Sequence, residues 1–213
     1  MQIVDIPALL IGVMATFYWG RVIKLVFKTR RLTGKAANFF PPEKLGALLR
    51  IVWYPTVVLW IVVPLVHGFR SPPLRSGLFE YFWWNPLARW GAVAVAFVAW
   101  YFTLICWRKM GRDWRMGIDP AEKNTLIVTG PYAYARHPIY ALSSLLMLAS
   151  FVAVPSGMML ILAGVHLLFL QWEARREERH MASVHGATYV DYMRQVGRFV
   201  PRGRYRPAAS VPA

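Results

Sequence analysis

Long uninterrupted apolar blocks constrain this chain more than any other feature. They fall at about residues 3–27, 45–66, 86–107, 139–154 and 157–172. A hydrocarbon core about 30 Å thick needs roughly 20 apolar residues in helical form. Inside lipid the backbone finds no water, so each spanning segment must satisfy its own N–H and C=O groups as helix. The sequence therefore predicts an all-α integral membrane protein of about five transmembrane helices, the last two forming a helical hairpin. Of the 213 residues, 57% are hydrophobic, and they are gathered in blocks rather than spread in the stripes of soluble helices.

The net charge of +15 would suggest nucleic acid in a soluble protein. Here the basic residues lie between the apolar blocks, as membrane insertion and anionic headgroups favour, and no soluble domain is left to carry a nucleic-acid site. The single cysteine, Cys106, lies inside an apolar block, which excludes a disulfide framework or a thiolate metal cluster. Residues 1–7 lack a basic leader, so the first block reads as a retained helix.

Charge also sets the expected orientation. Segments 21–44, 108–137 and 173–213 carry 7, 6 and 8 Lys or Arg, which is 21 of the 25 in the chain. Five spans would then place the N-terminus outside, with the basic loops and C-terminus cytoplasmic, in a plasma or inner membrane. Arg50, one turn into the second block, is expected to snorkel to the interface. Tyr81, Phe82, Trp83 and Trp84 read as an interfacial aromatic belt. The lone His166 reads as a buried packing residue. The last helix should continue to about Val184, since some 28 residues at 1.5 Å reach about 42 Å and carry its polar end beyond the hydrocarbon. Residues 1–107 form the N-terminal helices, 108–206 a functional region with the hairpin, and 207–213 a flexible tail.

Two stretches are polar where a plain helical bundle has no need of it. In the first, Gly130-Pro131 makes a turn, and Pro138 suits the first position of a helix. The free amides of that helical turn, beside Arg136 and His137, can meet a negative group. His137 and Tyr140 are three apart and share a face. In the second, Glu173 and Glu177 share a helix face, with Arg176 and His180 adjoining. Paired acids and cations at a membrane boundary are costly unless they bind something. Arg175, Arg179, Arg202, Arg204 and Arg206 read as headgroup-facing charges.

The motif Gly130-Pro131-Tyr132-Ala133-Tyr134-Ala135-Arg136-His137-Pro138-Ile139-Tyr140 is followed by Glu177-Glu178, His185-Gly186, Tyr189, Tyr192, Arg198 and Pro201. In this order and spacing the chain resembles the isoprenylcysteine carboxyl methyltransferase family, which is related to the membrane phospholipid N-methyltransferases. The resemblance covers roughly residues 108–201. It implies S-adenosyl-L-methionine as methyl donor at a cytoplasmic C-terminal cofactor-binding region, and a lipophilic small-molecule acceptor entering from the membrane lipids. No obligate protein partner is expected. By position, Asn124, Thr125, Leu126 and Ile127 match a strand-like stretch lining the family's cofactor pocket. Tyr132, His137, Pro138, Ile139, Tyr140, Glu177 and Glu178 match cofactor-contacting positions. Arg136, Tyr140, Glu173 and Arg198 are the candidate catalytic residues, Arg198 through closure of the cofactor site. The family places an arginine where this chain has Glu173. A glutamate there would repel a carboxylate and attract a cation, which argues against a prenylcysteine carboxylate and leaves an amine or another carboxylate as acceptor; Arg176, one turn on, can substitute for the arginine.

Two rival readings make different demands. A sterol-type membrane reductase can carry a related Arg-His-Pro-x-Tyr element and would use NADPH, but Glu177-Glu178 and the His185 to Tyr189 pattern favour the methyltransferase. A transporter or scaffold would place ionisable residues near mid-bilayer, and His166 is the sole candidate.

Overall fold

The computed structural model describes residues 4–34, 44–69, 77–111, 114, 116–117 and 125–207. The basic loop around Pro41-Pro42, the Pro72-Pro73 loop with Arg70 and Arg75, Asn124 and the tail 208–213 lie outside the described residues.

Five helices account for most of the fold: α1 (Ile6–Thr33), α2 (Lys44–Gly68), α3 (Pro86–Met110), α4 (Pro138–Ala153) and α5 (Gly157–Gln195). No strand occurs among the described residues. Local chemistry fixes the helix starts. The Asp5 carboxylate accepts from the Ala8 amide at 3.3 Å and the Asn85 side chain from the Ala88 amide at 3.1 Å, each beside a proline in the first turn. Ser156 caps α5 by accepting from Met159.

The helices α1, α2, α3 and α5 are long and apolar enough to cross a membrane, whereas α4 is shorter. At 1.5 Å per residue, the 16 residues of α4 reach only about 24 Å. Large apolar side chains point outward along the bundle: Phe17, Ile51, Leu87, Tyr101 and Leu168 are all more than 60% exposed. Lipid, not water, is the solvent that tolerates such a surface. The protein is an integral membrane protein.

Successive helices run antiparallel. The start of α1, the end of α2 and the α4–α5 turn meet at one end, where Asp5 N–H donates to Gly68 C=O at 2.9 Å and Phe82 N–H to Pro155 C=O at 2.7 Å. Small residues permit close approach, as expected where lipid supplies no hydrophobic drive. A Cβ on Gly12 would meet the Leu65 backbone at 2.8 Å, and one on Gly68 would meet Leu9 Cα at 2.8 Å. The buried face of α3 is the stripe Ala92, Ala96, Ala99 and Thr103, and α4 is its principal packing partner.

The structure revises three expectations. The first helix continues through Lys28, Arg30 and Arg31 to Thr33, because nothing before Gly34 stops it. Arg50 does not snorkel; it is 3% exposed and faces inward. Tyr81 and Trp84 do more than edge the membrane, since the Arg89 guanidinium lies 5.0 and 4.2 Å from their ring centres. The expected end of the last helix near Val184 coincides with Gly186, whose φ of 54° breaks the helical path inside α5.

His166 is fully buried between α2 and α4. Indole N–H can only donate, so the Trp53 Nε1 contact at 3.3 Å makes Nδ1 the acceptor. The proton then sits on Nε2, which donates to Ser143 Oγ at 3.0 Å. Both ring nitrogens are satisfied by a neutral imidazole.

Candidate active site

At the opposite end from Asp5, the chain entering α4 is braced by the C-terminal segment. Arg136 N–H donates to Gly197 C=O and His137 N–H to Arg198 C=O, both at 2.9 Å, while Tyr205 N–H donates to Ala133 C=O at 2.8 Å. Gly197 is required for this fit, since a Cβ there would lie 1.9 Å from the Val200 carbonyl oxygen.

The paired glutamates have separate surroundings. Glu178 Oε1 accepts from Arg136 Nη2 at 2.6 Å, and Oε2 accepts from Arg198 Nη2 at 2.6 Å. Arg136 also donates to the carbonyls of Met193 and Val196. Glu178 thus ties the α4 entrance to the C-terminal segment. Glu177 accepts from the Tyr140 hydroxyl, and its Oε2 lies 3.3 Å from His137 Nδ1. The His137 and Tyr140 rings stack at 5.4 Å and 5°, the geometry that their three-residue spacing predicts.

His137 is buried, which by itself pushes its pKa down. Glu177 and Glu178 outweigh this and hold it above the ordinary value of 6.5. The Glu178 Oε1 contact, at 3.4 Å from Nε2, acts through charge and not through an aligned hydrogen bond. Burial pushes the Tyr132 phenol up, so it stays neutral.

A cavity of about 190 Å³ opens among these groups. Its wall at the α4 entrance, polar at Thr125, Tyr132, Arg136, His137, Tyr140, Glu177 and His180, also takes in Leu126, Ile127, Pro138 and Ile139. It continues between Tyr18, Trp19 and Val22 of α1, Trp53 of α2, and Phe169 and Leu170 of α5, which form an aromatic chamber. Arg50 and Glu173 also line it. The residues expected from sequence on this wall are therefore brought together, with three exceptions. Glu178 and Arg198 stand behind His137, engaged with each other, and Asn124 is outside the described residues. Thr125 to Ile127 line the cavity without forming a strand.

Glu173 is not a bare carboxylate. Its Oε1 lies 3.1 Å from Arg50 Nη2 and its Oε2 2.8 Å from Arg176 Nη1. The premise for an amine acceptor, an uncompensated negative charge at this position, does not hold in the folded chain. Sequence reasoning missed Arg50 as a site residue, although an isolated guanidinium early in an apolar helix is a signal that it has an inward partner. It also missed the α1 and α2 aromatics, which are indistinguishable from ordinary membrane-helix residues until the bundle is assembled.

The fold and cavity define an α-helical membrane protein whose internal site joins an aromatic chamber to a cluster of charged side chains. Residues 87–188, somewhat under half of the chain, match the phospholipid methyltransferase family model. The chain is also similar to the cobalt-zinc-cadmium resistance protein CzcN of Cupriavidus metallidurans, at 32% identity over 95 residues. That alignment spans 44% of this chain and 44% of CzcN, so less than half the length of that relative is matched. No solved structure is significantly similar to this chain. Among the described residues, no three His, Cys, Asp or Glu side chains gather in a group able to hold a metal ion.

Proposed function

We propose that this protein is an S-adenosyl-L-methionine-dependent methyltransferase acting on a lipophilic acceptor within the membrane. The observation that carries this reading is a single cavity with two chemically different walls. On the polar wall, Tyr132 Oη and His180 Nε2 are buried without a hydrogen-bond partner among the described residues. Buried polar atoms are seldom left so, and here they stand beside the partly open carboxylate of Glu177. A donor set of this kind fits an amino-acid end and a ribose. When bound, S-adenosyl-L-methionine supplies a methyl group made electrophilic by its sulfonium.

The remaining work falls to this chain's residues. Glu177 offers negative charge to a cationic ligand, and its bonds from Tyr140 and His137 hold the carboxylate in one orientation. The Arg136–Glu178–Arg198 cluster positions His137 by fixing the backbone on either side of it. Trp19, Trp53 and Phe169 exclude water from the path of the reacting groups, and methyl transfer depends chiefly on such exclusion and on in-line approach. The acceptor's apolar body occupies the aromatic chamber, while the polar end of α5 extends past the hydrocarbon into the cytoplasm. The N-terminus then lies outside, in the plasma or inner membrane, as the distribution of basic residues favours.

Calorimetric titration of the detergent-purified protein with S-adenosylhomocysteine tests the reading, with NADPH and Glu177→Ala as controls. Micromolar binding that Glu177→Ala abolishes is expected. Binding of NADPH in its place would replace this reading with a reductase.

A further inference from the structure

Arg50 is supplied by α2, outside the segment 87–188 that carries the family match, yet it lines the same cavity as Tyr140 and Glu177. Its Nη2 is occupied by Glu173 Oε1 and the Met116 carbonyl. Its Nε is buried and has no partner among the described residues. The guanidinium lies 5.0 Å from the Trp53 ring centre and 5.2 Å from that of Phe169. This wall is apolar, so the charge is poorly solvated there.

Charge counting points the same way. Arg50 and Arg176 share the one carboxylate of Glu173, and Arg136 and Arg198 share that of Glu178. With Glu177 included, four guanidinium groups face three carboxylates among the described residues, before any proton on His137 is counted. A sulfonium-bearing donor adds positive charge. An amine acceptor would enter against this excess, whereas an anionic acceptor would relieve it.

We propose that Arg50 is the specificity-determining residue of the acceptor end, where its guanidinium edge takes the anionic oxygen headgroup of an amphiphile whose chain fills the Trp19–Trp53–Phe169 chamber. This rests on the methyltransferase reading and names the acceptor class for it. Arg50 suits the role because a fixed planar fork, stacked on aromatic faces, holds an oxyanion at lower ordering cost than a mobile ammonium.

The cavity tryptophans provide a readout independent of turnover. The full chain in maltoside micelles is titrated with terminally brominated dodecanoate, dodecyl phosphate and dodecylamine, and tryptophan quenching is followed with unbrominated chains as competitors. Saturable, competable quenching by an anionic amphiphile is expected, with the amine no better than the micelle background. Arg50→Gln should weaken anion binding at least about tenfold while Arg50→Lys loses less, since it keeps the charge without the fork. S-adenosylhomocysteine binding should persist in both variants, which also verifies their fold. Dodecanoate over dodecyl phosphate would assign a carboxylate and the reverse a phosphate. Equal binding of the amine, or unchanged anion binding in Arg50→Gln, would overturn the proposal. Should Arg50→Gln fail to fold, the wild-type preference between acid and amine still decides. A wild type that binds the anion but not S-adenosylhomocysteine would remove the methyltransferase reading and leave Arg50 as an anion site. The opposite result would remove only Arg50's role.

Discussion

Arg89 Nη2 lies 2.6 and 2.7 Å from the two carboxylate oxygens of Asp5, joining the first turns of α1 and α3 inside the protein. Arg89 Nε donates to the Ala153 carbonyl at 2.7 Å, which brings the end of α4 into the same junction. The Tyr81 hydroxyl donates to the second Asp5 oxygen at 3.0 Å. Three helices are thereby fixed together at the end remote from the cavity, where an α4 too short to reach far has to be anchored.

Removing one member of this buried pair strands the other, at a cost of about 3–5 kcal/mol. Asp5→Asn and Arg89→Gln should therefore each lower the unfolding midpoint in detergent, by roughly 6–20 °C for a chain of this size. The double variant should lose less than the sum of the two singles, because no charge is then left alone. Melting curves of the four proteins, followed by size-exclusion recovery, check this; strictly additive losses would show that the pair is not energetically coupled.

The two neighbouring glutamates should separate cleanly by assay. Glu177→Gln removes charge from the cavity wall, and is expected to weaken S-adenosylhomocysteine at least about tenfold, or about 1.4 kcal/mol, with little change in melting. Glu178→Gln strands Arg136 and Arg198 and should lower the midpoint. It should also expose the C-terminal segment to trypsin at Arg202 and Arg204, which are already on the surface. Parallel proteolysis and titration of both variants would reveal the difference. If Glu178→Gln were trypsin-resistant and fully stable, the clamp would have no structural role.

The helices were legible in sequence because each carries a long apolar block set between polar or proline-bearing stretches, with Pro138 opening α4 where its missing N–H costs nothing. The His137–Tyr140 stack and the shared face of Glu173 and Glu177 follow from helical spacing and were equally readable. What could not be read was any relationship across helices. Arg50 and Glu173 are 123 positions apart, and only the bundle makes them partners. Glu173 in isolation looks like a free negative charge, and beside Arg50 and Arg176 it is neutralised. Glu177 and Glu178 are likewise adjacent in sequence, but successive positions on a helix point about 100° apart, so one faces the cavity and the other the clamp.

His137 sets a pH dependence with a definite sign. Its folded pKa is raised above 6.5 by Glu177 and Glu178, against the effect of burial. A group whose folded pKa is raised contributes stability fully below its unfolded pKa, and that contribution is lost as pH rises through the folded value. Glu178, which faces it, is held below the ordinary carboxylate range by His137, Arg198 and Arg136 against the effect of burial, and keeps its charge across neutral pH. The midpoint should therefore fall as pH increases from about 6 upward, and His137→Gln should flatten the slope while lowering the plateau at acid pH. Melting of both proteins across the neutral and mildly alkaline range is the measurement, and parallel curves would count against this account.

The strongest check on the Arg50–Glu173 contact is to reverse it. Glu173→Arg alone would set three guanidinium groups together in a buried site, with Arg176 one turn away on α5 and Arg50 opposite on α2. Repulsion in such surroundings is large because little water screens it, so this single variant should be poorly folded. Adding Arg50→Glu restores one carboxylate between two cations, with the positions of the carboxylate and one guanidinium exchanged. The pair should recover a measurable part of the loss, with a coupling of about 0.5–3 kcal/mol. Recovery will be incomplete because glutamate cannot replace the bond from Arg50 to the Met116 carbonyl, and because its shorter side chain gives up the stacking on Trp53. Detergent melting of the wild type, both singles and the swap completes the cycle. A swap no better than Glu173→Arg would mean that position 173 tolerates charge by some means other than its pairing with α2.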